Sequence, residues 1–122
     1  MSGRFTFPRS ARLRRSSEFD RVYRHGRRLH EYPLRVRALK KDAGESRLGL
    51  SIGKKVGGTV VCNRWKRAIR EAFRLQRGRL EAPHDLVVAI DWEADVEEAA
   101  KVAAAFERVI ERLNEEAGGA QR

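Results

Sequence analysis

The sequence predicts an α+β fold, a two-layer α/β sandwich in the order helix, strands, helix, strand, helix, and three observations carry that prediction. Residues 32–39 and 48–52 alternate apolar with polar or small side chains, the period-two mark of half-buried strands. Asp85 opens a run, Leu86 to Ile90, that is apolar without interruption, as expected of a central strand buried on both faces. Residues 61–74 and 96–113 repeat their apolar side chains at spacings of three and four, the period of a helix with one buried face.

In chain order, residues 1–15 are Arg-rich with a Phe-Thr-Phe-Pro break and no apolar period, which predicts a flexible basic arm. Ser16-Ser17-Glu18 then opens a short helix, a hydroxyl cap followed by an acid, with Phe19, Val22 and Tyr23 at helical spacing. Gly26 closes it. From Tyr32 to Leu39, Leu34, Val36 and Ala38 share one side and Arg35 and Arg37 the other, so one sheet face is basic. A turn at 41–45 leads to Leu48, Leu50 and Ile52, and the two strands are expected to pair antiparallel. Gly57-Gly58-Thr59 breaks the pattern before a helix running to about Gly78. After the turn at 81–84 and the apolar strand, Val96, Ala99, Ala103, Phe106, Val109, Ile110 and Leu113 form the inner stripe of a long helix with acids opposite. The domain boundaries are therefore 16–117 for a single α+β domain and 118–122 for a flexible tail, with no repeat or linker within it.

Charge narrows the partner. The 122 residues carry +10 in all, yet residues 1–41 hold 13 Lys and Arg against 3 acids, 42–79 hold 10 against 3, and 80–122 hold 4 against 11. Such polarity sets one side of the molecule toward a polyanion and the other toward water, and nucleic acid is the leading candidate. A membrane is not expected as a partner: the basic residues interleave with strand and helix patterns instead of forming a juxtamembrane block. No stretch approaches the roughly 18–20 uninterrupted apolar residues of a span, the N-terminus lacks the apolar middle of a secretory signal, and the single Cys suits a reducing compartment. A cytoplasmic location is expected.

The residues from Lys54 to Arg74 place two stripes on one helix. Val61, Trp65, Ile69, Ala72 and Phe73 should pack inward, while Asn63, Arg67, Arg70, Arg74 and Arg77 follow the same period on another face, with Arg64 and Lys66 beside them. A helix anchored on a core would thus hold out a row of guanidinium groups, whose planar forks suit phosphates.

Catalytic chemistry of the chain's own finds no footing. Gly49-Leu50-Ser51-Ile52-Gly53-Lys54-Lys55 has three residues between its glycines where a nucleotide-binding P-loop has four, and Lys where that loop has Ser or Thr. His25, His30 and His84 lack metal-ligand spacing and any Cys partner, so no metal site is expected. Asp91, Glu93, Asp95, Glu97 and Glu98 surround the start of the last helix, where the dipole favours them. Cys62 reads as a small filler.

The stretch from Lys54 to Arg74 resembles the signature of the bacterial ribonuclease P protein component: a Lys-Lys, a small-residue turn, then an Arg-Asn-Arg helix followed by Lys-Arg and Arg-Glu. Asn63, Arg64, Lys66, Arg67, Arg70, Glu71, Phe73 and Arg74 fall where that pattern places them, and Cys62 stands at the first Arg of the triplet, removing one cation. The resemblance spans roughly residues 9–113 and is strongest over 48–74. It implies a fold like domain 2 of ribosomal protein S5, with a left-handed βαβ crossover at the signature helix, whereas such crossovers are generally right-handed.

The resemblance also implies a function: the small subunit of a ribonucleoprotein endonuclease that removes the 5′ leader of precursor tRNA, with the chemistry carried by the RNA subunit and by Mg2+ bound mainly to that RNA. The expected partners are ribonuclease P RNA, in a 1:1 complex, and precursor tRNA. On this reading Lys54, Lys55, Asn63, Arg64, Lys66, Arg67, Arg70 and Arg74 contact the catalytic RNA. Phe19 and Tyr23 match the family's two helix aromatics, and with Arg35 and Arg37 they would line a cleft for the leader. Arg37 stands where family members often carry a strand aromatic. The competing reading is a stand-alone RNA-binding module of ribosomal-protein type, to which the order of residues in the signature helix gives no support.

Overall fold

The structure, a computed structural model, describes residues 11–119; the side chains of Lys54 and of residues 117–119 lie outside that description. The elements are α1 (Ser16–His25), β1 (Arg27–Glu31), β2 (Leu34–Lys40), β3 (Arg47–Ser51), α2 (Thr59–Gln76), β4 (His84–Ile90) and α3 (Val102–Gly119), with 3-10 turns at Lys54–Val56, Arg77–Arg79 and Val96–Lys101. The four strands lie in the order β1-β2-β4-β3, with β4 antiparallel to β2 and parallel to β3.

The uninterrupted apolar run is the reason for that order. Leu86, Val88 and Ile90 face one side of the sheet and Val87 the other, all buried, so β4 needs neighbours on both edges and cover on both faces. This corrects the expectation that β2 and β3 pair with each other: β4 lies between them. Residues 41–46 are long enough to cross its width, two strand spacings of about 4.8 Å each. The parallel β3–α2–β4 crossover then places α2 against the sheet.

Leu29, Leu34, Val36, Ala38, Leu48, Leu86, Val88 and Ile90 from the sheet, Trp65, Ile69, Ala72 and Phe73 from α2, and Val102, Ala105, Phe106, Val109, Ile110 and Leu113 from α3 form one buried core. Phe73 and Phe106 meet edge to face, with ring centroids 6.2 Å apart, a contact worth about 0.5–1.5 kcal/mol beyond the area it buries. The sheet with α2 and α3 is the two-layer sandwich. α1 lies on the opposite face over a smaller cluster of Leu13, Val22 and Val87, flanked by Phe19 and Leu39.

Three local differences from the sequence expectation have plain causes. β1 precedes β2 as a separate strand joined through the cis Tyr32-Pro33 peptide; with Leu29 its one buried side chain, period two is too faint to read. The cap of α1 is not a Ser hydroxyl: Ser16 is already helical, and Glu18 reaches back to accept the N–H groups of Arg14 and Arg15 at 3.1 and 3.2 Å. The basic arm ends earlier than residue 15, because Ala11 and Leu13 are buried, Arg12 bridges Leu48, and the Leu13 N–H donates to the Leu48 carbonyl at 2.9 Å. The rest of that arm, residues 1–10, lies outside the described residues, as do 120–122 of the expected tail; α3 itself runs through Gly119.

Candidate nucleic-acid interfaces

The first interface is built on α2. Its inward stripe of Trp65, Ile69, Ala72 and Phe73 is buried as the periodicity requires, which fixes the helix's rotation and sends Asn63, Arg67 and Arg70 into solvent. The helix begins after Gly57 at φ +154°, a conformation side chains rarely adopt; a Cβ there would also meet Val61 at 2.8 Å. Asn63, Arg67, Arg70, Glu71 and Arg74 line a shallow groove of about 270 Å3, and Arg12 from the chain before α1 completes it. In this groove Arg12 is the residue that sequence reasoning does not find; the alternation Ala11-Arg12-Leu13-Arg14 is the available signal. Arg74 is half-buried and paired with Glu71. Arg64 is exposed but turned out of the groove, and Lys66 is half-buried on the flank toward α1, sharing a depression with Phe19, Arg14 and Arg70. Lys55 is exposed in the turn before α2. Arg77 does not continue the row: its guanidinium lies over the Phe73 ring at 5.8 Å.

The second interface depends on where α1 sits, and two features hold it. Gly49 of β3 leaves room for the Phe19 ring: a Cβ there would lie 2.7 Å from it. Arg47 makes a two-pronged ion pair with the buried Asp85 of β4, at 3.0 and 2.8 Å, and reaches Glu18 of α1 at 2.8 Å; Lys41 approaches Asp85 at 3.2 Å. A buried carboxylate is tolerated because these two cations surround it. The N–H groups of Arg14 and Arg15, with the Arg47 guanidinium, hold the Glu18 carboxyl down to about 2, and Asp85 hydrogen bonds raise the Arg47 pKa. Arg47 is thereby committed to structure.

With α1 so placed, the uncovered part of the sheet forms a cleft of about 520 Å3 lined by Tyr23, Arg28, His30, Arg35, Arg37, Val87, Ala89, Asp91 and Trp92, among others. The register explains its pattern. Arg28 pairs with Arg37 and His30 with Arg35 across β1 and β2, while Val87 and Ala89 lie opposite Arg37 and Arg35 on β4. Cross-strand partners share a face, so cations rise along one side of a floor made of small apolar side chains. The Arg37 guanidinium lies 5.3 Å from the Tyr23 ring centroid and donates to the Tyr23 carbonyl at 3.0 Å; Arg35 lies 5.1 Å from the centroid of Trp92. Such guanidinium–ring contacts are worth about 0.5–1 kcal/mol at exposed sites.

Tyr23, Arg35 and Arg37 are thus brought together as the sequence reading expected, and Phe19 is not. Phe19 is half-buried in the cluster beneath α1 and does not line this cleft. Trp92, 80% exposed, was missed: a lone Trp among acids just past a strand has no periodic partner to mark it.

Cys62 is half-buried, and its Sγ approaches the carbonyls of Gly53 and Gly57 at 3.5 and 3.4 Å, tying down the turn before α2. Among the described residues, no group of three or more His, Cys, Asp or Glu is placed to hold a metal ion, and no helix is long and apolar enough to cross a membrane.

The family described as Ribonuclease P matches residues 7–114. The ribonuclease P protein component of Desulfotalea psychrophila is 41% identical over 87 residues, 71% of this chain and 72% of its own length. That of Desulfatibacillum aliphaticivorans is 33% identical over 113 residues, covering 93% of this chain and 96% of its own. Among solved structures, the RNase P protein of Staphylococcus aureus superposes with a TM-score of 0.75 at 26% identity, over 84% of this chain and 94% of that one. The RNase P protein of Thermotoga maritima does so with 0.73 at 27%, over 83% and 96%. A basic helix signature, a four-stranded sheet with a parallel crossover at that helix, and these matches over nearly the whole sequence agree, and the chain belongs to the ribonuclease P protein family, the protein component of the bacterial enzyme.

Proposed function

We propose that the protein acts as an accessory subunit, docking on ribonuclease P RNA through α2 and holding the 5′ leader of precursor tRNA in the cleft beside α1, while the RNA carries the cleavage chemistry. The observation that supports this division is the presence of two basic surfaces of different construction. The α2 groove offers Asn63, Arg67, Arg70 and Arg74 with Arg12 and, among the described residues, no ring in its lining, which suits the phosphates of a folded RNA. Lys55, Arg64 and Lys66 extend that cationic surface on its flanks, and Lys54 belongs to the same turn. The cleft sets Tyr23 and Trp92 beside Arg35 and Arg37 over an apolar floor, which suits unpaired bases joined to a charged backbone.

In this reading Mg2+ is bound mainly by the RNA, where it activates the attacking water; the side chains here neutralise phosphate charge and position the leader. The working complex is 1:1, in the cytoplasm.

The test is precursor tRNA cleavage at low Mg2+ with the cognate RNA alone, the protein alone, and both. Mature 5′ ends from the mixture, with little from either part, are the expected result. No gain over RNA alone would reject the accessory role.

A further inference from the structure

We infer that Trp92 and Asp91, at the end of β4, form a second base-recognition position in the cleft: Trp92 stacks one unpaired leader base, and the Asp91 carboxylate favours bases bearing an exocyclic amino group over uracil. The inference rests on the leader reading above.

The Trp92 ring is 80% exposed and its neighbour Arg35 repeats the Arg37–Tyr23 arrangement at nearly the same distance, 5.1 against 5.3 Å. Arg35 and Arg37 are two residues apart on β2 and therefore on one face, separated by about 6.6 Å. The cleft thus carries the same ring-and-guanidinium unit twice along one strand, and a single-stranded chain crossing it meets a stacking surface at each end. Only the Tyr23 end corresponds to a helix aromatic of the family signature.

Asp91 supplies what the Tyr23 end lacks. Its N–H donates to the Pro33 carbonyl at 3.0 Å and its carbonyl accepts from Ala94 at 2.9 Å, so its backbone is fixed on both sides. Its Oδ2 lies 2.9 Å from His30 Nε2, and its Oδ1 accepts the Glu93 N–H at 3.0 Å. An ionised carboxylate has about four acceptor positions, so these partners leave about two unfilled. In a cleft otherwise lined by Arg28, Arg35 and Arg37, this fixed negative charge repels phosphate, and the group that settles beside it is a base edge. Unpaired bases present their full edges. Adenine N6, cytosine N4 and the guanine N2 amine each donate from an exocyclic position at the rim of the base, whereas uracil's one edge donor, N3–H, stands between two carbonyl oxygens whose lone pairs oppose a carboxylate.

The experiment uses the reconstituted holoenzyme with precursor tRNA carrying a randomised leader, scored by competition, and mature tRNA binding as the control. The wild type should deplete uridine at one leader position. Asp91→Asn keeps an oxygen for the Glu93 N–H and adds a donor that uracil accepts, so it should abolish the bias at that position and no other. Trp92→Ala should lower kcat/KM for leader-bearing substrates about 5- to 100-fold, with mature tRNA binding unchanged. If Tyr23→Ala weakens leader-bearing substrates while Asp91→Asn and Trp92→Ala leave the profile unaltered, the second position is refuted and the leader reading stands. If none of the three separates precursor from mature tRNA, the leader reading itself fails.

Discussion

The α2 groove and the cleft beside α1 carry the same cation in opposite settings. On α2 the guanidinium groups of Arg67 and Arg70 stand in solvent beside Arg12 and Asn63, in a groove to which no ring of the described residues contributes; in the cleft, Arg35 and Arg37 already lie over Trp92 and Tyr23. A solvated guanidinium is free to grip a phosphate through two parallel bonds, and releasing counterions from the nucleic acid gives such contacts a steep salt dependence. A guanidinium on a ring offers a flat surface, and a base gains by stacking on that assembly with a weaker dependence on salt than a phosphate contact has. The count of basic residues is therefore a poor guide to what a basic surface recognises; the neighbours decide.

Mutations should pull the two surfaces apart. The largest effect is expected from Arg67→Ala combined with Arg70→Ala: affinity for ribonuclease P RNA should drop about 10- to 100-fold, and the slope of log affinity against log salt should flatten by about 0.7–0.9 per lost phosphate contact. Filter binding across a salt series checks this, and an unchanged slope would remove α2 from the interface. Next, Gly49→Leu should drive the Phe19 ring and α1 off the sheet, costing about 1–3 kcal/mol of stability by thermal or urea unfolding and abolishing leader discrimination while RNA docking survives. Tyr23→Ala should weaken leader-bearing substrates by about 1–3 kcal/mol and leave mature tRNA unaffected; equal losses on both would make Tyr23 a packing residue.

Acid should act on the cleft before α2. The folded-state pKa of Glu18 is depressed to about 2 from 4.5, so its contribution to stability is fully present above that ordinary value and lost as pH falls toward 2. Hydrogen exchange at pH 3 should accordingly report loosening of α1 ahead of α2. The smallest effect is expected of Arg74→Ala, within about twofold on RNA affinity, because the adjacent Glu71 carboxylate offsets much of that guanidinium's charge toward a phosphate.

These surfaces were not equally legible. The α2 stripe was readable almost residue by residue, because helical period converts sequence spacing into a face directly and the buried Trp65, Ile69 and Phe73 lock the rotation. Arg77 departed from it because the helix ends at Gln76, after which the period no longer places a side chain. In the cleft, Tyr23, Arg35 and Arg37 were visible and Trp92 was not. Phe19 looked equivalent to Tyr23 four residues on, yet Gly49 draws its ring into the small cluster, and nothing in α1 itself encodes that vacancy.

By itself the sequence determined the fold class, the burial of the apolar strand on both faces, the two stripes of α2 and the polarity of charge, since each follows from local period or composition. The tertiary structure alone decided that β4 separates β2 from β3, that α1 crosses to the sheet's other face, that Arg47 is spent on Asp85 and Glu18, and that Trp92 faces Arg35. Those outcomes depend on contacts between residues tens of positions apart, where strand order, close approach at a glycine and competition for a buried carboxylate are settled only once the whole chain has packed.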